Sequence, residues 1–148
     1  MSSRLAHTER LAISFDLDRT LDFGDPSGPI VPALIGALQD AAAIVGSASD
    51  RTVLDQRRMW ERAGIGPPAF AVAKAQLRTV PAAYPDHFLV HIGDRFADHL
   101  EAVNAGAFFI HVDTFSLKQW SAPDHLYDHI MQAHARSGPH GAGERSVR

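Results

Sequence analysis

The chain contains no cysteine. Disulfides, thiolate zinc sites and cysteine nucleophiles are therefore excluded, and the absence fits a cytoplasmic protein. No apolar run approaches the ~20 residues that span a bilayer. Residues 1–10 are polar and lack the apolar core of a signal peptide, so no membrane partner is expected. Lysine is nearly absent as well: Lys74 and Lys118 stand beside twelve arginines. Neither sign of charge dominates. The net charge of −3 leaves no basic field to recruit nucleic acid. There is no internal repeat. At 148 residues the chain is one domain by length, and 45% hydrophobic content suffices for a core. Residues 137–148, Ser-Gly-Pro-His-Gly-Ala-Gly-Glu-Arg-Ser-Val-Arg, carry almost no apolar content and are expected to be a disordered tail after a domain at 1–136.

What is present is an alternation of strand and helix signals. Leu11–Phe15 is a short apolar run that reads as a buried strand. A Gly/Pro/Asp-rich loop, Phe23 to Pro29, follows. Ile30 to Asp40 places Val31, Leu34, Ile35 and Leu38 at helical spacing. Ala41–Val45 reads as a second strand, and Ser47-Ala-Ser-Asp50 offers helix N-cap chemistry. Leu54 to Ala63 reads as a helix stopped by Gly64. Phe70–Val72 is a third strand. Lys74 to Thr79 starts a helix that Pro81 and Pro85 interrupt. Phe88–Ile92 is a fourth strand, Phe96–Asn104 a helix closed by Gly106, Ala107–Val112 a fifth strand, and Asp124–Ala135 a last helix. This βαβα order predicts an α/β fold, a three-layer, Rossmann-like, doubly wound parallel sheet with helices on both faces.

Four acidic residues carry the functional signal. Asp16-Leu17-Asp18-Arg19-Thr20 follows the first strand at once. Gly93-Asp94-Arg95-Phe96-Ala97-Asp98 follows the fourth. Carboxylates just past the ends of buried strands make a poor core, and strand ends are where an open parallel sheet binds ligands. Two such clusters predict one acidic pocket that repels itself without a cation. Asp98 lies one helical turn beyond Asp94 and faces the same way if the helix starts there; a first-turn acid favoured by the helix dipole would look the same.

The DxDxT and GDxxxD patterns, in this order, resemble the haloacid-dehalogenase-like (HAD) hydrolase superfamily, over about Ile13 to Asp113. The resemblance implies a Mg2+-dependent phosphatase, a phosphomonoester hydrolase working through an aspartyl-phosphate. It implies Asp16 as nucleophile and Asp18 as general acid/base. It implies Asp16, the Asp18 backbone carbonyl and Asp94 as Mg2+ ligands, with Asp98 as a further ligand or an outer neighbour. It implies Thr20 as the residue that orients the loop, counted with the phosphate-binding set. Dehalogenases need no leaving-group acid at the second Asp, so Asp18 favours phosphoryl chemistry. Arg19 departs from the pattern, where Gly is commoner, and receives no catalytic role. The superfamily also has a Ser or Thr after the second strand and a Lys before the last acidic motif, both on phosphate oxygens. Ser47 is the best match, then Ser49; a plain N-cap would use the same serines. Lys74 is the one lysine between the acidic motifs.

Neither the segment Leu21–Ala41 nor Asp50–Ala73 has room for a cap domain, so the expected type is capless. Such members act on large substrates or use a neighbouring subunit as a lid. The expected substrate is a phosphorylated small molecule or macromolecule, and a homo-oligomer fits the second case. Two other classes stand beside the enzyme: a non-catalytic binding or scaffold protein on the same fold, and a receiver-like module. The receiver ranks low because no Asp directly follows the second or third strand as read above. His125 and His129 have metal-site spacing but lack a third ligand, so a solvated helix face is expected. Trp60 and Phe70 are expected in the core, with Trp120 and Phe115 covering the sheet or an oligomer surface.

Overall fold

The structure, a computed structural model, describes residues 10–136. The tail at 137–148 and residues 1–9 lie outside the described residues. Five strands, β1 (Leu11–Phe15), β2 (Ile44–Ser49), β3 (Ala71–Ala73), β4 (Phe88–Gly93) and β5 (Phe108–His111), form one sheet in the order β3-β2-β1-β4-β5. Every pairing is parallel. The α/β doubly wound expectation therefore holds. Six α-helices accompany the described sheet: α1 (Pro32–Asp40), α2 (Val53–Arg62), α3 (Val80–Ala83), α4 (Phe96–Ala105), α5 (Leu117–Trp120) and α6 (Asp124–Arg136).

Strand order dictates which face each helix covers. The chain moves outward from β1 through β2 to β3, then returns across the sheet to β4 and β5. Right-handed crossovers put the outward helices on one face and the returning ones on the other. On the first face, Leu11, Ile13, Phe15, Val90, Ile92 and Ile110 pack with Leu34, Ile35 and Leu38 of α1 and Met59 and Trp60 of α2. Leu126, Tyr127 and Ile130 of α6 join them. The second face is smaller in volume: Ala12, Ala48 and Leu89 meet Phe70, Leu77 and Val80. Trp60 and Phe70 are buried as expected; Trp120 is buried too, and Phe115 rests edge-on against it.

Most element ends shift by a residue or two from the sequence reading, and three differences have local reasons. The second strand begins at Ile44 rather than Ala41, because residues 41–43 turn the chain out of α1, with Ala42 in the left-handed region at φ +67°. The strand then continues through Ser49, its small residues suiting the close approach of Phe70, whose backbone oxygen lies 2.4 Å from where a Cβ on Gly46 would stand. Consequently α2 is capped by Thr52, whose hydroxyl accepts from Asp55 N at 3.1 Å, and not by the Ser47–Asp50 segment. Finally, Lys74–Thr79 is a 3-10 helix, and Pro81 sits in the first turn of α3 rather than ending a helix.

Segment 21–41 holds an isolated bridge between Leu21 and Ile30, a loop and α1; segment 50–73 holds α2 and β3. Among the described residues, no helix is long and apolar enough to cross a membrane.

Candidate active site

The topological switch point of this sheet lies between β1 and β4, where the strand order reverses, and such crevices bind ligands in open α/β sheets. Asp16 leaves β1 and Asp94 leaves β4 at that crevice. Asp16 N donates to the Ile92 carbonyl at 2.9 Å, so the two strand ends are tied together. One carboxylate oxygen from each of Asp16, Asp94 and Asp98 lies within 4.8 Å of the others, an arrangement able to hold a metal ion. A cavity of about 60 Å³ sits beside them, lined by Asp16, Asp18, Ser49, Asp50, Lys74 and Arg95. That is far below the ~300 Å³ or more of a drug-sized pocket, so it recesses a small group and leaves any larger body outside. Larger hollows lie elsewhere among the described residues, such as one lined by Gln39, Asp40 and Ala43 near the opposite ends of the strands and one beside Trp60; neither of these brings acidic motif residues together.

Asp16 is 4% exposed. Its Oδ1 accepts from Leu17 N at 2.8 Å, and its Oδ2 faces Lys74 Nζ at 3.4 Å. Burial and the neighbouring Asp98 carboxylate push its carboxyl up to about 7, against the opposing pull of Lys74. The pair divides its charge unequally. Burial would raise Asp98 too, but its hydrogen bond with His91, the Lys74 ammonium and the Arg95 amide hold it below the usual carboxylate range. Lys74, 5% exposed, also bonds Asp98 Oδ1 at 3.2 Å. Burial would lower its ammonium, yet Asp16, Asp98 and Asp50 outweigh that and raise it.

Asp94 is the carboxylate the protein leaves open. Its Oδ1 is buried and has no hydrogen-bond partner among the described residues, while its backbone carbonyl meets His111 Nε2 at 3.1 Å. A buried, orphaned oxygen is costly unless something else occupies it. Asp98 is the reverse case. Its Oδ1 is taken by His91 and Lys74, and its Oδ2 accepts from Arg95 N at 3.1 Å, capping α4. Gly93 makes this possible, since a Cβ there would stand 2.3 Å from the Asp98 carboxyl carbon. The donor set available to a hard cation is therefore Asp16 and Asp94 first, all oxygen, as Mg2+ prefers.

Asp18 sits at the rim. Arg51 Nε bonds both its oxygens, at 3.0 and 3.1 Å, and Asp25 N donates to Oδ1 at 3.0 Å. Arg51 continues to Asp55 at 2.7 Å. The loop 23–29 is bound onto the acidic turn rather than hanging free: Arg19 N reaches Pro26 O at 2.6 Å, and Gly28 N reaches Leu21 O at 2.8 Å. A Cβ on Gly28 would stand 2.3 Å from the Thr20 backbone. Arg19 itself adopts φ +64°, which explains why Gly is the easier residue at that point of such a turn.

Two of the expected phosphate contacts are not at the cavity. Ser47 pairs in register with Phe15, so it shares Phe15's face and points away from Asp16's. There it is fully buried, donating to Gln56 Oε1 at 2.7 Å and accepting from Trp60 Nε1 at 3.1 Å. Its helix N-terminus placement does not hold, because it lies within β2. Ser49, at the strand's end, lines the cavity instead. Thr20 is also fully buried and outside the cavity lining; its backbone bonds Leu17 and Ile30 within the turn, and its hydroxyl has no hydrogen-bond partner among the described residues. The structure adds residues that the sequence reading did not single out: Arg51, Asp50 and Arg95 at the rim, and Ser14 and His91 behind it. Polar residues interrupting the apolar runs of β1 and β4 were the available signal for the last two.

Extending β2 to Ser49 also places Asp50 directly after a strand, which removes one sequence argument against a receiver-like module. Strand order supplies a better one. Receiver-type sheets run 2-1-3-4-5, whereas this one runs 3-2-1-4-5.

Comparison with family models, curated proteins and solved structures returns no match.

Proposed function

We infer that this protein is a Mg2+-dependent phosphatase that hydrolyses phosphomonoesters through a phosphoaspartate at Asp16. One observation carries the reading: carboxylates that follow β1 and β4 cluster beside a small cavity lined by Asp16, Asp18 and the single lysine between the motifs, and a buried Asp94 oxygen has no hydrogen-bond partner among the described residues. The residues that would hold Mg2+ are Asp16 and Asp94, joined by the Asp18 carbonyl that the resemblance implies. When bound, the ion supplies Lewis-acid neutralisation of the phosphoryl and carboxylate charge.

The chain's own residues account for the remaining work. The ammonium of Lys74 and the hydroxyl of Ser49 orient the phosphoryl oxygens. An Asp16 oxygen attacks phosphorus, the bond to the ester oxygen breaks, and Asp18 gives that oxygen its proton. Water then attacks phosphorus, Asp18 takes its proton, and the Asp16–phosphorus bond breaks to release phosphate. Arg51 pairs with both Asp18 oxygens at rest, so transfer requires it to free one of them. The small cavity and open rim suit an ester whose alcohol part stays outside, whether small molecule or macromolecule.

The test is hydrolysis of an aryl phosphate with and without Mg2+. Turnover should need the ion. Asp94→Asn should raise the Mg2+ concentration for half activity by about tenfold or more, and calorimetry should show the same loss of Mg2+ binding. Metal-independent turnover, or an Asp16→Asn variant as active as the parent, would rule the mechanism out. A wholly inactive but Mg2+-binding protein would favour the scaffold reading.

A further inference from the structure

Behind the cavity lies a buried chain of polar groups that the proposed mechanism does not use. His91 of β4 is fully buried, with Nδ1 2.9 Å from Ser14 Oγ and Nε2 2.8 Å from Asp98 Oδ1. Ser14 and His91 are register partners on adjacent strands, so both point to the α4 face, as does Asp16 two residues after Ser14. The connectivity is that of a Ser–His–Asp hydrolase triad. Ser14, however, is fully buried within β1, so no substrate reaches its hydroxyl. The arrangement has to act on something inside the protein. His91 thus spans the two, facing Ser14 through Nδ1 and Asp98 through Nε2. Asp98 is thereby clamped on two sides, by His91 at Oδ1 and by the Arg95 amide at Oδ2. Asp98 Oδ1 also meets Lys74, at 3.2 Å, and Lys74 in turn lies 3.4 Å from Asp16.

We propose that His91 is a positioning residue: through its bond to Asp98 it fixes that carboxylate so that Asp98 holds Lys74 against Asp16 and leaves the cation to Asp16 and Asp94. The functional consequence rests on the phosphatase reading. The placement of Lys74 does not, and this separates the two in experiment.

Two amide substitutions divide the ring's contacts between them. In His91→Gln the amide nitrogen replaces Nε2 and keeps the Asp98 bond. In His91→Asn it replaces Nδ1 and keeps only the Ser14 side. Crystal structures of the full chain should show Lys74 still within hydrogen-bond distance of Asp98 in H91Q and displaced in H91N. Calorimetry with inorganic phosphate and Mg2+ should give binding within about threefold of the parent for H91Q and about tenfold weaker for H91N. Turnover of an aryl phosphate should follow, with KM carrying most of the H91N loss. Ser14→Ala, which leaves the Asp98 bond in place, should bind phosphate like H91Q. A Lys74 that stays in place with full phosphate binding in H91N would overturn the proposal. So would a folded H91Q or Ser14→Ala that loses both. If H91N fails to fold, the Lys74 position in H91Q and Ser14→Ala decides alone. If the parent binds no phosphate, the phosphatase reading falls and the Lys74 positions still decide the role of His91.

Discussion

The two faces of the sheet divide the protein's labour. Along β1, Leu11, Ile13 and Phe15 face α1, α2 and α6, while Ala12, Ser14 and Asp16 face the returning side. Along β4, Val90 and Ile92 contrast with Leu89 and His91 in the same way. One face is filled by large aliphatic and aromatic side chains in continuous contact. The other has a smaller apolar cluster and a buried polar chain running Ser14, His91, Asp98, Lys74, Asp16. Buried apolar volume stabilises without needing partners, whereas buried charge survives only when paired and costs stability where it is not. The comparison implies that stability and site chemistry can be damaged separately.

The largest expected separation is at Asp16. Asp16→Asn should lower turnover of an aryl phosphate by at least about a thousandfold, because an amide is neither nucleophile nor anionic ligand. The same variant should melt no lower than the parent in chelator at pH 8, since it removes a carboxylate buried beside Asp98. The opposite face should behave inversely. Leu34→Ala empties a site 1% exposed in α1 and should cost about 2–5 kcal/mol by denaturant unfolding, with turnover per folded molecule unchanged. An Asp16→Asn chain that unfolds, or a Leu34→Ala chain that stays stable yet inactive, would break the division.

This division was only partly legible in the sequence. The alternation of strands and helices, and the acidic residues at two strand ends, follow from local pattern, and the parallel sheet follows from them. Lys74 could be picked out because lysine is so scarce. What could not be read was which side of a strand a residue faces once a strand boundary is misplaced. Ending β2 at Val45 made Ser47 a loop residue at a helix start; its actual pairing with Phe15 sends it to the apolar face under Trp60. Arg51 and His91 reach partners far along the chain, Asp18 and Ser14, which only folding brings near. No helix or strand period marks such contacts.

The pH dependence of stability should carry the polar face's signature. The Asp16 carboxyl rises from an ordinary 3.8 to about 7 on folding. Between those values the folded state binds more protons than the unfolded one, so stability falls as pH rises from about 4 through 7 and levels above it. The loss is on the order of 4 kcal/mol at most. His129, held below its usual value first by burial and then by Arg136, contributes the opposite slope near pH 6.5. Asp98, held low, acts only below about pH 4. Thermal melts in chelator from pH 4 to 8 should therefore be compared between the parent and Asp16→Asn, so that the other groups cancel. The parent should lose stability relative to the variant across that window, and Mg2+ should restore it at pH 8. A constant difference would mean that Asp16 is not the titrating group.

The smallest contrast is also the sharpest, because it sets two serines of one strand against each other. Ser47→Ala leaves Trp60 Nε1 without its acceptor and Gln56 Oε1 without its donor, both in a fully buried position. It should cost about 1–3 kcal/mol and leave KM and kcat alone. Ser49→Ala removes a hydroxyl that lines the cavity and accepts from Arg51 N at 3.1 Å. It should cost about 1 kcal/mol or less in stability and raise KM severalfold, with Mg2+ dependence unchanged. Chemical unfolding and steady-state kinetics on the two variants read this directly. If Ser47→Ala instead weakens substrate binding while Ser49→Ala does not, the face assignment of β2 is wrong, and with it the separation between the two sides of the sheet.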